Sequence, residues 1–199
     1  CMHVCIPPFI IYGLVNSIYG SMAFGLKAEL SPFISETTVY DDLGKFEIAC
    51  CTPTHLRYIY SKLSSLYEAM ESPVEHGMQK DRISNDINSI QKKLSKVDIF
   101  ISGGDKLYPE ELLSMEHLFS KPIINGYGNN ELVGAAIITP VFGLKPESVG
   151  IPMKYSEVSA FDVETDKQKS FDDRFLNLIY SVYFYFSFAN VHIIFYNTP

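Results

Sequence analysis

The 199 residues carry 47% hydrophobic and 20% charged side chains, enough for one sizeable core and too apolar for a disordered chain. A formal net charge of −7, with no basic run longer than Lys92-Lys93, excludes the electrostatic footprint of a nucleic-acid surface. Cys1, Cys5, Cys50 and Cys51 contain no CxxC pair and read as reduced thiols, which fits a cytoplasmic setting. A zinc site built from them with His3 or His55 matches no usual ligand spacing. The chain opens on Cys1 with no charged-then-apolar leader, so we expect a piece of something longer.

Residues 3–12 form an apolar run interrupted by Pro7 and Pro8, which predicts a strand ending near Ile6 and a fixed loop. Gly13 then opens a helix. Leu14, Val15, Ile18, Tyr19 and Met22 recur at helical spacing, and Gly25 stands where a left-handed stop belongs. A short strand over Lys27 to Leu30 follows, then a helix capped by Ser35 and stopped at Gly44, then a buried strand from Phe46 to Cys51. Thr52-Pro53 starts a longer helix with an apolar stripe of Leu56, Ile59, Leu63, Leu66 and Met70, while Arg57, Lys62 and Glu68 point elsewhere.

Glu71 to Asp81, with Pro73 and Gly77, reads as a surface loop. Helix resumes at about Arg82 on the stripe Ile83, Ile87, Ile90 and Leu94, and delivers the chain to a strand over Val97 to Ser102. Two glycine-ended runs come next, Val97-Asp-Ile-Phe-Ile-Ser-Gly-Gly-Asp-Lys106 and Pro122-Ile-Ile-Asn-Gly-Tyr-Gly-Asn-Asn-Glu131. Each reads as a buried strand followed by a tight turn, with a helix from Tyr108 to Phe119 between them. That is a βαβ unit, and parallel neighbours would bring both turns to one carboxyl edge, where open α/β sheets bind ligands. Leu132 to Thr139 predicts another strand, Val149 to Met153 a turn, and Val158 to Val163 a half-exposed strand of a second sheet.

Residues 175–199 carry no formal charge and are rich in Phe, Tyr, Ile and Val. About twenty such residues are long enough to cross a bilayer, yet scattered Asn, Ser and His, with β-branched and aromatic neighbours, equally suit strands. A membrane partner is the less favoured reading. No Walker-type phosphate loop, GxGxxG, GxSxG or HExxH pattern occurs, and the five histidines are separated in sequence, so no Ser/His/Asp chemistry can be argued. By residue type, the Gly-Tyr-Gly segment lets backbone approach a flat ligand. Tyr127 offers a ring for stacking, Glu131 a ligand for a hard cation, and Asn129 and Asn130 amide donors.

Four segments, in order, resemble the adenylate-forming superfamily, the acyl-CoA synthetases and their AMP-binding relatives. They are Pro7-Pro-Phe-Ile-Ile-Tyr-Gly13, Ile101-Ser-Gly-Gly-Asp-Lys-Leu107, Asn125-Gly-Tyr-Gly-Asn-Asn-Glu131 and Ser148-Val-Gly-Ile-Pro152, and together they cover residues 1 to about 165. The resemblance implies an α/β fold: a mostly parallel sheet with helices on both faces, and the start of a smaller second sheet after about residue 145. It also implies that residues 1–165 are part of an AMP-binding domain, and that a carboxylic acid attacks Mg-ATP to give an acyl-adenylate whose acyl group passes to a thiol of coenzyme A or a carrier protein.

Carried over residue by residue, the resemblance places Gly104, Asp105 and Lys106 along the adenine site, with Asn125, Gly126 and Tyr127 as its other wall. Asn130 lies near the phosphates, Glu131 binds Mg²⁺ (the catalytic pair), and Tyr12, Gly13 and Gly103 lie near the acyl group. Three departures stand out. Asn130 replaces the usual threonine, Ile10 stands where many relatives have histidine, and the phosphate loop, ribose-binding aspartate, hinge and catalytic lysine are not found in the 199 residues. The expectation is therefore a fragment of an ATP-dependent acid–thiol ligase that is inactive alone. Its tail over residues 166–199 is expected to be non-native or truncated, and the alternative is a degenerate, non-catalytic nucleotide-binding module.

Overall fold

The computed structural model describes residues 1–31, 35, 37–72, 79–130, 133–141, 148 and 150–154. As backbone alone it also describes 77–78, 157–162, 168–169, 182–188 and 191–195. The strands are β1 (Met2–Val4), β2 (Ala28–Leu30), β3 (Ile48–Cys51), β4 (Ile99–Gly103), β5 (Ile123–Asn129), β6 (Gly134–Ile138), β7 (Ile151–Pro152), β8 (Glu157–Asp162), β9 (Gln168–Lys169), β10 (Val182–Phe188) and β11 (Val191–Phe195). The helices are a π-helical segment (Tyr12–Tyr19) running into α1 (Gly20–Ala23), then α2 (Thr38–Asp42), α3 (Pro53–Glu71), α4 (Gly77–Leu94) and α5 (Pro109–Phe119).

Seven strands form the large sheet in the order β2-β1-β3-β4-β5-β6-β7. β2, β1, β3, β4 and β5 pair in parallel, whereas β6 and then β7 pair antiparallel. The expected βαβ unit is present: α5 connects β4 to its parallel neighbour β5. The second sheet has the order β11-β10-β8-β9. Within it β10, from the uncharged tail, pairs antiparallel with both β8 and β11, so the tail's strand reading is the one the structure takes. Among the described residues no helix is long and apolar enough to cross a membrane.

Strand alternation assigns the faces of the large sheet. On one face Cys5, Ala49, Cys51, Phe100 and Ile123 meet α2 to α5 in a single core. The stripe Leu56, Ile59 and Leu63 of α3 is fully buried there, each side chain contributing about 2 kcal/mol of apolar transfer. Ile83, Ile87, Ile90 and Leu94 of α4 face the same core. Helix α3 starts as predicted, with Pro53 in its first turn and the Thr52 N–H donating to His55 Nδ1 at 3.1 Å, which gives the buried His55 a structural role. Helix α4 begins at Gly77 rather than near Arg82, so part of the expected loop is helical. The expected cap of α2 also shifts. The helix starts at Thr38, and Ser35 bonds the hydroxyls of Thr37 and Thr38.

The π-helical segment covers the opposite face, and here the predicted stripe is corrected. Gly13, Ser17 and Ser21 are the buried positions, while Tyr19 and Met22 are exposed. Small residues let the helix lie close to the sheet. A Cβ on Gly13 would sit 2.4 Å from the Pro7 carbonyl oxygen. The predicted stop holds: Gly25 has φ 64°, and Leu26 N–H donates to the Ser21 carbonyl at 2.8 Å.

All four cysteines are free, and Cys5, Cys50 and Cys51 are buried. Cys5 Sγ lies 3.1 Å from His3 Nδ1, and His3 Nε2 lies 3.0 Å from Asp42 Oδ2 and 2.6 Å from Ser31 Oγ. The ring of His3 stacks on Phe46 at 4.5 Å. This Cys-His-Asp row is structural: Cys5 is fully buried and burial pushes its thiol up, the reverse of what a nucleophile needs. Burial likewise holds His3 below the ordinary imidazole value despite Asp42. Among the described residues no group of three or more His, Cys, Asp and Glu could hold a metal ion.

Candidate functional site: a glycine-floored cleft

The site is built where β4 and β5 end. Their register sets Ile101 beside Ile124, Ser102 beside Asn125 and Gly103 beside Gly126. Beyond Gly103 the chain turns at Gly104, whose φ of 84° lies in the region L side chains rarely adopt. The predicted turn is therefore present after β4.

After β5 the structure corrects the expectation. Gly126, Tyr127 and Gly128 belong to the strand, which runs to Asn129 and pairs antiparallel with β6, with a register shift between Tyr127 and Gly128. Glycine is needed at 128 because a Cβ there would lie 1.9 Å from the Gly134 carbonyl oxygen. The chain reverses later, near Val133, a β-branched residue held at φ 57°.

Alternation along β5 divides the predicted residues. Gly126 and Gly128 line a cleft of about 650 Å³ under the π-helical segment, with Tyr12, Val15, Asn16, Ile101, Ser102, Gly103, Gly104, Ile124, Asn129, Asn130, Val133 and Ile138 among the other lining residues. Asn125 and Tyr127 project from the other side of the strand. Tyr127 is half-buried there, which pushes its phenol up. Thus Tyr12, Gly103, Gly104, Gly126 and Asn130 come together. Asn125 and Tyr127 form a separate wall, Asp105 and Lys106 lie in the turn above, and Gly13 sits beneath the loop at Pro7. Glu131 lies outside the described residues.

Tyr12 is anchored rather than free. Its hydroxyl lies 2.8 Å from the Ile101 carbonyl and 3.2 Å from that of Cys51, donating across the paired strands β4 and β3, and its ring would meet a Cβ on Gly103 at 3.4 Å. Burial pushes the phenol well above its ordinary value, so it stays a neutral donor.

Three contributors escape a sequence reading. Arg57 points away from the apolar stripe of α3 as expected, and there Nε donates to Glu111 Oε1 at 2.8 Å and Nη2 donates to Glu111 Oε2 and to the Lys106 carbonyl, both at 2.9 Å. Nη1 lies 3.5 Å from Asp105. Glu111 in turn accepts the Tyr108 N–H at 3.1 Å. Hydrogen bonding to Glu111 raises the guanidinium, and Arg57 holds the Glu111 carboxyl below its ordinary range. At this exposure the ion pair contributes about 1 kcal/mol or less, so its main effect is to fix the turn. Its partners lie 48 to 54 residues away in sequence, and nothing local signals them.

Ser102 and Asn16 are the others. Ser102 Oγ and Asn125 Oδ1, like Ser17 Oγ under the π-helical segment, are buried without a hydrogen-bond partner among the described residues, and the first two occupy register-paired positions. Asn16 stands one helical turn beyond Tyr12, and the polar pair Asn16-Ser17 in an otherwise apolar stretch is its one visible signal.

With this geometry in hand, the known proteins it resembles are informative. A sequence description of the family "AMP-binding enzyme" matches residues 1–173. Nonribosomal peptide synthetase agiA of Aspergillus flavus is 32% identical over 120 residues, which is 57% of this chain and 2% of that protein. Among solved structures, a benzoate CoA ligase from Burkholderia xenovorans LB400 aligns with a TM-score of 0.65 at 15% identity, covering 99% of this chain and 34% of the ligase. The O-succinylbenzoate coenzyme A synthetase MenE of Bacillus subtilis, in complex with ATP and magnesium ion, aligns at 0.61 and 17% identity, covering 96% of this chain and 33% of that one. The chain thus spans about a third of these solved relatives and a small part of the peptide synthetase. A sheet, a glycine turn and a cleft at the strand ends, matched by the family's own sequence pattern over most of the chain, place this protein among the AMP-binding, adenylate-forming enzymes.

Proposed function

We propose that the chain supplies the adenylate and acyl sites of an ATP-dependent acid–thiol ligase. The observation that carries this reading is the paired carboxyl edge of β4 and β5, where the Gly104 turn borders a glycine-floored cleft and the unpartnered Ser102 Oγ and Asn125 Oδ1 lie across the sheet from it. An adenine amino group is the kind of donor a buried, unsatisfied amide oxygen requires. In this reading Gly104, Asp105 and Lys106 lie along one side of the base, with Arg57 fixing their turn, and Asn125, Gly126 and Tyr127 form the other wall.

Tyr12, Gly13 and Gly103 shape the neighbouring acyl site, which receives a small carboxylic acid. Asn130 faces the phosphates. Glu131 is the Mg²⁺ ligand together with nucleotide oxygens, since Mg²⁺ commonly binds through one or two carboxylates plus phosphates. When bound, Mg²⁺ supplies neutralisation of phosphate charge. The residues of the chain hold the base, orient the acid against the α-phosphorus and exclude water from the apolar side of the cleft. The acceptor is a thiol of coenzyme A or of a carrier protein.

Calorimetric titration of the 199-residue chain with AMP and with Mg-ATP tests this. Both should bind, and Glu131→Ala should weaken Mg-ATP while leaving AMP nearly unchanged. Nucleotide binding that Tyr127→Ala and Asn125→Ala leave untouched sinks the site assignment. Carboxylate-dependent pyrophosphate exchange belongs to a chain extended to the full length of the solved ligases. Nucleotide binding without exchange there favours the degenerate module that Asn130 and Ile10 suggest.

A further inference from the structure

The cleft beside the proposed adenylate site has a chemical character of its own. Among the described residues, its lining contains no Asp, Glu, Lys, Arg or His. The walls that face each other are Val15 from the π-helical segment and Ile101, Ile124 and Ile138 from the strands. The Tyr12 hydroxyl is already committed to backbone carbonyls. On the helix side one polar group remains, the neutral amide of Asn16, whose Oδ1 sits against Gly134, 2.7 Å from where a Cβ would be.

Such a wall solvates a hydrocarbon well and an ion badly. A charged substituent entering it would give up water with no counter-charge to meet it among the described lining residues. The likeness to a peptide synthetase makes the alternative concrete, because an α-amino acid would carry its ammonium group into this space.

We infer that the acid taken by this cleft is apolar and uncharged apart from its reacting carboxylate, an aryl-alkanoic or medium-chain aliphatic acid, and that α-amino acids are rejected. Asn16 is the specificity-determining residue: it is the polar side chain on the helical wall, and it is neutral. The inference rests on the proposed adenylate chemistry.

The test uses the full 199-residue chain and non-hydrolysable acyl-sulfamoyl adenosines in two matched pairs, 3-phenylpropanoyl against phenylalanyl and hexanoyl against norleucyl. Members of each pair differ only by the ammonium group. With AMP as the reference, the uncharged member should bind more tightly than AMP, and the amino member about 100-fold more weakly than its partner, as an unpaired buried charge demands. Asn16→Asp is nearly isosteric and places a carboxylate in the wall, so it should shrink that ratio to about tenfold or less. A purely structural role for Asn16 would not change the ratio.

If AMP binds and the amino member equals or exceeds its partner, or if neither member improves on AMP, the substrate class is wrong while the adenylate site stands. If AMP and all four analogues fail to bind, both fall. The wild-type ratio decides the matter even where the Asp variant does not fold.

Discussion

The two faces of the large sheet are covered in different ways. On one, α2 to α5 pack Leu56, Ile59, Leu63, Phe100 and Phe119 into a core with almost no exposure. On the other, a helix of small buried residues lies over the stretch of β4 and β5 that carries Gly103, Gly126 and Gly128, and the space left between them is the cleft. The first face is filled with large side chains and the second is hollowed by small ones. Stability should therefore concentrate on one side of the sheet and ligand chemistry on the other.

The sharpest way to break that division is a pair of truncations on opposite faces. Phe100→Ala should cost about 4 kcal/mol in chemical denaturation, because a fully buried ring is lost. Ile124→Ala, on the cleft side, should cost less than about 1.5 kcal/mol, because its side chain borders open space. Equal losses would mean that the cleft is filled in solution.

Next in size is Gly128→Ala. A Cβ there meets backbone rather than a movable side chain, so β5 and β6 must separate, at a cost of about 2 kcal/mol or more. The same change should weaken binding in the cleft. A neutral outcome would contradict the pairing of β5 with β6.

A pH experiment sharpens the comparison at the sheet's other edge. His3 in the folded chain binds its proton more weakly than the ordinary value of 6.5. Below that pH the unfolded chain takes up a proton that the folded chain refuses, so stability should fall as pH drops from about 6.5 toward the lower folded value. His3→Gln should flatten this limb between pH 7 and 5, and an unchanged slope would assign it to another group. The smallest effect belongs to Val133→Asn. Asparagine tolerates the left-handed backbone there, so the melting temperature should rise by an amount equivalent to about 1 kcal/mol.

Legibility in sequence follows the same division. Helices α3 and α4 were readable because their core-facing stripes repeat every three to four residues, and the apolar strand runs were readable because a strand buried on both sides needs no alternation. The helix after Gly13 misleads for a physical reason. Its apolar residues do recur at helical spacing, but close approach to the sheet selects Gly13, Ser17 and Ser21 for the buried side and leaves Met22 outside.

Gly126-Tyr127-Gly128 misleads in the opposite sense. Glycines beside a tyrosine read as a turn, and it is pairing with the following strand β6 that makes them a strand. For the site, the glycine segments were visible as short motifs. The Arg57 clamp was not, because its partners are brought to it by the fold.

The segment Tyr12–Tyr19 is wound as a π-helix and is held on both sides, by the Tyr12 hydroxyl on the carbonyls of β3 and β4 and by the left-handed stop at Gly25. A π-turn holds one more residue than an α-turn. With both ends held, deletion of a single residue would be taken up by rewinding toward an α-helix, leaving Gly25 and the chain beyond it in register. Only the residues between the anchors, Val15 and Asn16 among them, would turn relative to the cleft. The wall is thus stored in the winding of the segment as well as in its sequence, and a single-codon deletion can reset it while the sheet beneath stays as it is.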